Sequence, residues 1–178
     1  MSTPSPMKGF QGMRITNLSD ADKAWVQERT ELLFGGNFLV SRETVHDPTK
    51  LPGFIAIQDG ERVGLVTYDL QDDRCEVVSL DALCQYMGIG TELLQAVESA
   101  ARAEGCKTLW TITTNDNLDA LRFFQRRGFT ISAFRIGGMD NIRMIKPGIP
   151  QTGCYGLPVR DEIELSKPVE PGKGWRVV

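Results

Sequence analysis

The spacing of apolar and polar positions divides the chain into two organisations. In the first half, short apolar runs are separated by turn residues. Met13–Asn17 alternates weakly and predicts a first strand. Ser19 or Asp20 supplies an N-cap for a helix from Ala21 to about Phe34, with Trp25, Leu32 and Leu33 among its apolar positions, and Gly35-Gly36 ends it. Residues Asn37–Leu51 show no period and contain Asp47-Pro48, which predicts a loop with at most one helical turn. Phe54-Ile55-Ala56-Ile57 predicts a strand, Asp59-Gly60 a tight hairpin turn and Val63–Leu70 the returning strand. Asp72-Asp73 marks another turn before Cys75–Leu80. These three successive strands most simply form an antiparallel meander.

The second half alternates strand and helix. Thr91–Glu104 carries Leu93, Leu94, Val97, Ala100 and Ala101 at the spacing of a helix with one buried face, and Gly105 stops it. Thr108–Thr113 is β-rich, Asn117–Arg127 is a second amphipathic helix ended by Gly128, and Phe129–Ile136 is a further strand. Asp140–Lys146 predicts a short helix stopped by Pro147. Gly148–Pro158 is a loop, and Arg160–Leu165 alternates as a closing strand. A meander followed by strand–helix–strand units predicts an α+β (mixed α/β) fold around one central sheet. Residues 1–11 read as a loose tail, 12–167 as one domain and 168–178 as a second tail.

Composition narrows the classes of function. The net charge of −3 and the absence of a basic stripe argue against nucleic acid as the main partner. Arg122, Arg126 and Arg127 read as a solvated helix face. No apolar stretch reaches the roughly 20 residues needed to span a bilayer. The cysteines Cys75, Cys84, Cys106 and Cys154 have neither metal spacing nor a CxxC pair, so free thiols in a cytoplasmic protein are expected. His46 is the only histidine. A multi-histidine metal site is thereby excluded, no metal is expected, and His46 reads as an exposed residue of the polar turn before Asp47-Pro48.

The chemistry begins at Gln85-Tyr86-Met87-Gly88-Ile89-Gly90-Thr91, a tight turn between a strand and a helix start. Glycine lets the backbone turn sharply there, and the first helical amides are unpaired, so the turn suits a phosphate group. Gln85-x-x-Gly88-x-Gly90 resembles the acyl-CoA-binding signature of the GNAT superfamily of N-acetyltransferases. A second block, Asn117-x-x-Ala120-Leu121-x-Phe123-Phe124-x-x-x-Gly128-Phe129, is similar to another motif of that superfamily at the matching spacing. The resemblance spans about residues 13–136. It implies a mostly antiparallel mixed sheet with helices on both faces and a parallel, splayed strand pair made by Glu76–Asp81 and Thr108–Thr114.

The resemblance also implies a site. Acetyl-CoA is the implied cosubstrate, its pyrophosphate held by amides from Tyr86 through Thr91, with Gln85 in the same turn. Its pantetheine arm would pair with backbone around Val78, Ser79 and Leu80, with Asn115, Asn117 and Phe124 towards the thiol end. A primary amine of a small molecule, peptide or protein would attack the thioester, with Asp81 or Glu76 as the base, Asp81 preferred because it is nearer the turn. Without the resemblance, both carboxylates read as solvated strand ends and Asn117 as a helix cap. Many members have tyrosine where this chain has Phe124, which cannot donate a proton. Tyr86 or Tyr155, or water, is left for that role; otherwise the chain is a silent acyl-CoA-binding module. A homodimer is a further expectation from the resemblance. A P-loop is excluded by the lack of Lys-Ser/Thr after the turn.

Overall fold

The computed structural model describes residues 12–84 and 87–169. Nine strands and four α-helices are found among them. In chain order they are β1 (Arg14–Asn17), α1 (Lys23–Phe34), β2 (Leu39–Ser41), β3 (Thr44–His46), β4 (Gly53–Gln58), β5 (Glu61–Gln71) and β6 (Arg74–Ala82). They continue with α2 (Ile89–Ala103), β7 (Thr108–Thr114), α3 (Leu118–Gln125), β8 (Thr130–Arg135), α4 (Gly138–Ile145) and β9 (Glu162–Pro168). Seven strands make one sheet in the order β1-β4-β5-β6-β7-β9-β8, and β2 and β3 pair separately. The pairs of the main sheet are antiparallel except β6–β7. The expected α+β sheet with its central meander is therefore present.

The two faces of the sheet are covered differently. Leu93, Leu94, Val97 and Ala101 of α2 are buried against Ala56, Val66, Cys75, Val77, Leu109 and Leu165, with Phe124 of α3 and Phe129 completing the core. On the opposite face Val26 of α1 packs on Ile55 and Leu65. The β2–β3 hairpin also lies on that face, where Ser41 reaches Glu76, and α4 packs against it through Met139, Ile142 and Val40. Burial of apolar area at roughly 25 cal/mol per Å² drives both layers.

The expectation of a loop over Asn37–Leu51 is corrected here. Leu39–Ser41 and Thr44–His46 form an antiparallel hairpin, with Leu39 opposite His46. Its two turn residues, Arg42 and Glu43, both have positive φ, 47° and 67°. Tight hairpins favour this conformation, but it is normally signalled by Asn or Gly, and here neither is present. Other differences are small. Helix α2 starts two residues earlier than the pattern predicts, and β9 starts at Glu162 rather than Arg160.

Candidate active site

Strands β6 and β7 pair in register at Arg74–Thr108, Cys75–Leu109 and Glu76–Trp110, and then part. The last tie between them is the Thr111 hydroxyl, which donates to the Val77 carbonyl at 2.9 Å. Beyond it, among the described residues, the β7-facing edge of β6 from Val78 to Leu80 has no strand partner, which leaves main-chain groups for an extended ligand. The expected splay of Glu76–Asp81 from Thr108–Thr114 is thus formed.

Helix α2 begins at the open end of this cleft. Gly88 is its N-cap in the left-handed conformation, φ 79°, with open space where a side chain would project. The Thr91 and Glu92 amides bond back to the Gly88 carbonyl at 2.9 and 3.1 Å, and the amides before them have no acceptor within the helix. Gly90 has a different task. A Cβ there would meet the Phe123 ring at 3.0 Å, so its bareness lets α3 pack against the helix start. Met87 and Gly88 are exposed and Ile89 is buried. Gln85 and Tyr86 lie outside the described residues.

Arg127 adds charge at this point, which corrects its reading as part of a solvated face. Its guanidinium donates to the Thr91 hydroxyl at 3.1 Å and to the Phe123 carbonyl at 2.8 Å, and it lies 3.6 Å from the centre of the Phe123 ring. A fixed cation beside a helix N-terminus strengthens the attraction for an anion. Sequence reasoning missed Arg127 because its role depends on α3 crossing the start of α2.

The opposite wall is acidic and mostly buried. A bulge in β6 sets it up: Ser79 pairs with Thr67 and Val77 with Tyr68, so Val78 is an extra residue. Simple alternation would put Glu76 and Asp81 on opposite faces. The bulge shifts the phase by one, so Glu76, Ser79 and Asp81 all face the layer of α1 and the hairpin. Ser79 exchanges a 2.7 Å hydrogen bond with Thr67 there. Leu80 packs against the other core.

The two candidate bases differ in their surroundings. Asp81 receives Arg29 of α1 through Nε at 2.8 Å and Nη2 at 2.7 Å, a partly buried pair that holds the carboxylate between two elements. Glu76 is 2% exposed and accepts a 2.5 Å hydrogen bond from Ser41, with His46 Nε2 3.7 Å from its other oxygen. Burial pushes its carboxyl above the usual glutamate range, an effect that the Ser41 hydrogen bond and the His46 and Arg42 charges oppose. Neither residue is a solvated strand end. His46 is likewise corrected from an exposed loop residue to a buried one, 5% exposed. The short β-branched runs flanking Arg42-Glu43 were the only signal for it.

The remaining candidates lie around β7 and α3. Asn117 caps α3, its side chain accepting from the Ala120 amide at 3.1 Å. Asn115 accepts from the Arg160 and Asp161 amides at 3.0 and 2.9 Å and donates to the Pro158 carbonyl at 2.8 Å, so its amide ties down the loop before β9. Phe124 is buried edge-on between Phe123 and Phe129, both 5.1 Å away between ring centres. Tyr155 is exposed at positive φ, and its hydroxyl donates to Asp119 at 2.6 Å.

Comparison with known proteins agrees with this architecture. Residues 15–129 match the model of the acetyltransferase (GNAT) family. The uncharacterised protein YdhI of Bacillus subtilis strain 168 is 40% identical over 122 residues, covering 68% of this chain and 76% of that protein. YxbD of the same strain, also uncharacterised, is 36% identical over 138 residues, covering 77% and 87%. An IAA acetyltransferase from Bacillus cereus superposes with a TM-score of 0.68 at 18% identity, over 88% of this chain and 99% of that one. A GNAT acetyltransferase from Elizabethkingia anophelis with acetyl-CoA bound superposes with a TM-score of 0.64 at 20% identity, over 88% and 98%. By the extent of the family match and by these relatives, the chain belongs to the GNAT acetyltransferase family.

Proposed function

We propose that the protein is an acetyl-CoA-dependent N-acyltransferase that moves an acetyl group to a primary amine of a small molecule, peptide or protein. The observation that carries this reading is the β6–β7 pair opening beyond Glu76–Trp110 with the start of α2 at its mouth. The residues fit the cosubstrate. The left-handed Gly88 and the free first amides of α2 suit a pyrophosphate, with Met87, Ile89, Gly90 and Thr91 contributing backbone and Arg127 adjacent charge. The bare edge at Val78–Leu80 suits the amides of a pantetheine arm. A structural neighbour that holds acetyl-CoA supports the same choice.

In this reading Glu76 is the base. It stands at the last paired position before the splay, and burial raises its proton affinity towards that of an amine donor. Asp81, held by Arg29, shapes the acceptor wall. An unhindered thiolate is a competent leaving group near neutral pH, since thiols ionise near pH ~8.5. Turnover therefore does not require a tyrosine in place of Phe124. Tyr155, on the loop that Asn115 secures, supplies a hydroxyl near the start of α3. Positioning of two reactants in one cleft is worth roughly 7–11 kcal/mol of barrier and is the largest contribution expected.

The test is release of free thiol from acetyl-CoA in the presence of a panel of primary amines, alongside calorimetry with CoA. Amine-dependent thiol release supports the reading. Saturable CoA binding with no release above background identifies a silent acyl-CoA-binding module, and no CoA binding refutes both.

A further inference from the structure

Behind Glu76 a chain of polar groups runs through the β2–β3 hairpin to the surface. Ser41 Oγ lies 2.5 Å from Glu76 Oε1, and His46 Nε2 lies 3.4 Å from Ser41 Oγ. On the far side of the ring His46 Nδ1 stands 3.9 Å from Asp69 Oδ2, a gap that one water or a small rotation of the ring closes. The side chains of Glu76 and His46 are 2% and 4% exposed, whereas that of Asp69 is 28% exposed and reaches solvent beside Gln71. The groups come from three elements: Ser41 and His46 from the hairpin, Asp69 from β5 and Glu76 from β6. Burial is the main influence on the Glu76 carboxyl and favours its protonated form; the Ser41 hydrogen bond and the charges of His46 and Arg42 favour the ionised form, and the Asp69 charge opposes it.

We propose that Ser41, His46 and Asp69 form a proton outlet that returns Glu76 to its carboxylate after each turnover. This rests on the acetyltransfer reading, in which Glu76 takes a proton from the attacking amine. The proton on Glu76 Oε1 then passes to Ser41 Oγ while the Ser41 hydroxyl proton moves to His46 Nε2. The proton on His46 Nδ1 leaves to Asp69 and from there to water. Glu76 is left as carboxylate, Ser41 as a neutral hydroxyl and His46 as the neutral Nε2 tautomer; a rotation of the ring that brings Nε2 to the Asp69 end releases that proton to water, and Nδ1 takes one back from water before the next turnover. A buried base needs such a path, because the closed hairpin that raises its proton affinity also cuts it off from solvent. His46 and Ser41 act through Glu76 and are positioning and relay residues.

Two measurements test this. His46 is the only histidine, so its ring nitrogens are unambiguous in a nitrogen-detected NMR spectrum, which reports which of them carries the proton. Glu76→Gln and Asp69→Asn are each expected to change how that proton is distributed between Nε2 and Nδ1. Ring-nitrogen shifts unmoved by either substitution overturn the outlet. In kinetics, His46→Gln and Asp69→Asn are expected to lower kcat about tenfold with KM for acetyl-CoA unchanged, less than the roughly 100-fold or more that loss of the base itself would cost. Raising the concentration of imidazole buffer restores the rate of the variants by carrying the proton. Asp69 is at the solvent end, so Asp69→Asn keeps the test open where His46→Gln fails to fold. Variants with wild-type kcat, pH profile and buffer independence refute the outlet while leaving acetyltransfer intact. A wild-type protein that releases no thiol with any amine refutes the acetyltransfer reading, and this use of the wire with it.

Discussion

At the start of α2 the left-handed residue is Gly88, with open space where a side chain would sit; at the tip of the β2–β3 hairpin the left-handed residues are Arg42 and Glu43. The first turn is relaxed by its own sequence. The second holds two bulky residues where each costs about 1–2 kcal/mol, and contacts elsewhere must offset this. Arg42 supplies them: it pairs with the buried Glu164 and lies 4.6 Å over the Trp110 ring, with Arg74 on the same ring at 4.9 Å. The turn at the start of α2, where the cosubstrate is proposed to sit, thus takes its backbone shape locally, although α3 brings Arg127 to it, and the side that carries Glu76 is built by long-range contacts. The first kind of construction suits a ligand common to a family, and the second allows the acceptor wall to vary.

Four changes separate these two constructions. Glu76→Gln has the largest expected effect: kcat falls at least about 100-fold while CoA affinity by calorimetry stays within about twofold. The same variant reports on pH. Burial raises the Glu76 carboxyl, so the folded protein keeps a proton that the unfolded chain releases. Stability from this group is retained at acid pH and lost as pH rises from the ordinary glutamate range through the raised value. Urea unfolding across that window should show wild type losing stability relative to Glu76→Gln. The acid limb of kcat/KM should likewise sit above the ordinary glutamate range.

Arg42→Ala comes next. It removes one partner of the buried Glu164, leaves Arg74 at 3.1 Å and loses the stack on Trp110. A loss of about 2 kcal/mol is expected in urea unfolding, with reduced kcat because Ser41 and His46 ride on the same hairpin. Gly88→Val strains the other turn by about 1–2 kcal/mol and should weaken CoA binding up to about tenfold, with kcat at saturation nearly unchanged. If Gly88→Val lowers kcat and spares binding, the division between the two sides is wrong. The smallest effect belongs to Glu43→Gly, which relieves an exposed left-handed residue whose carboxylate accepts from the exposed Asn141. A gain of about 0.5–1 kcal/mol, or roughly 1–4 °C in Tm by calorimetry, is expected.

How much of this was legible in the sequence follows the same division. Asp59-Gly60, the glycine turn before α2 and the amphipathic period of α2 state their conformations locally, and each element formed where the pattern put it. The β2–β3 hairpin was missed because Arg42-Glu43 carries no turn signal and its strands are three residues each. His46 was misread with it, since burial of a lone histidine depends on which surface its segment lands upon. Asp81 and Glu76 can be named from the sequence as candidate bases, but their pairing with Arg29 and Ser41 is written in no neighbouring position. Arg127 looked like surface because a helix pattern shows which face is polar, not what another helix brings against it.

The extra residue at Val78 acts as a frame shift within a strand. Deleting it would restore uninterrupted alternation along β6 and turn everything upstream over: Glu76 would point among the leucines of α2, and Cys75 and Val77 would point at the hairpin. Substitutions along β6 can be tolerated or not one at a time. A single-residue deletion here would exchange the contents of two layers at once, so length at this position should be far less negotiable than identity.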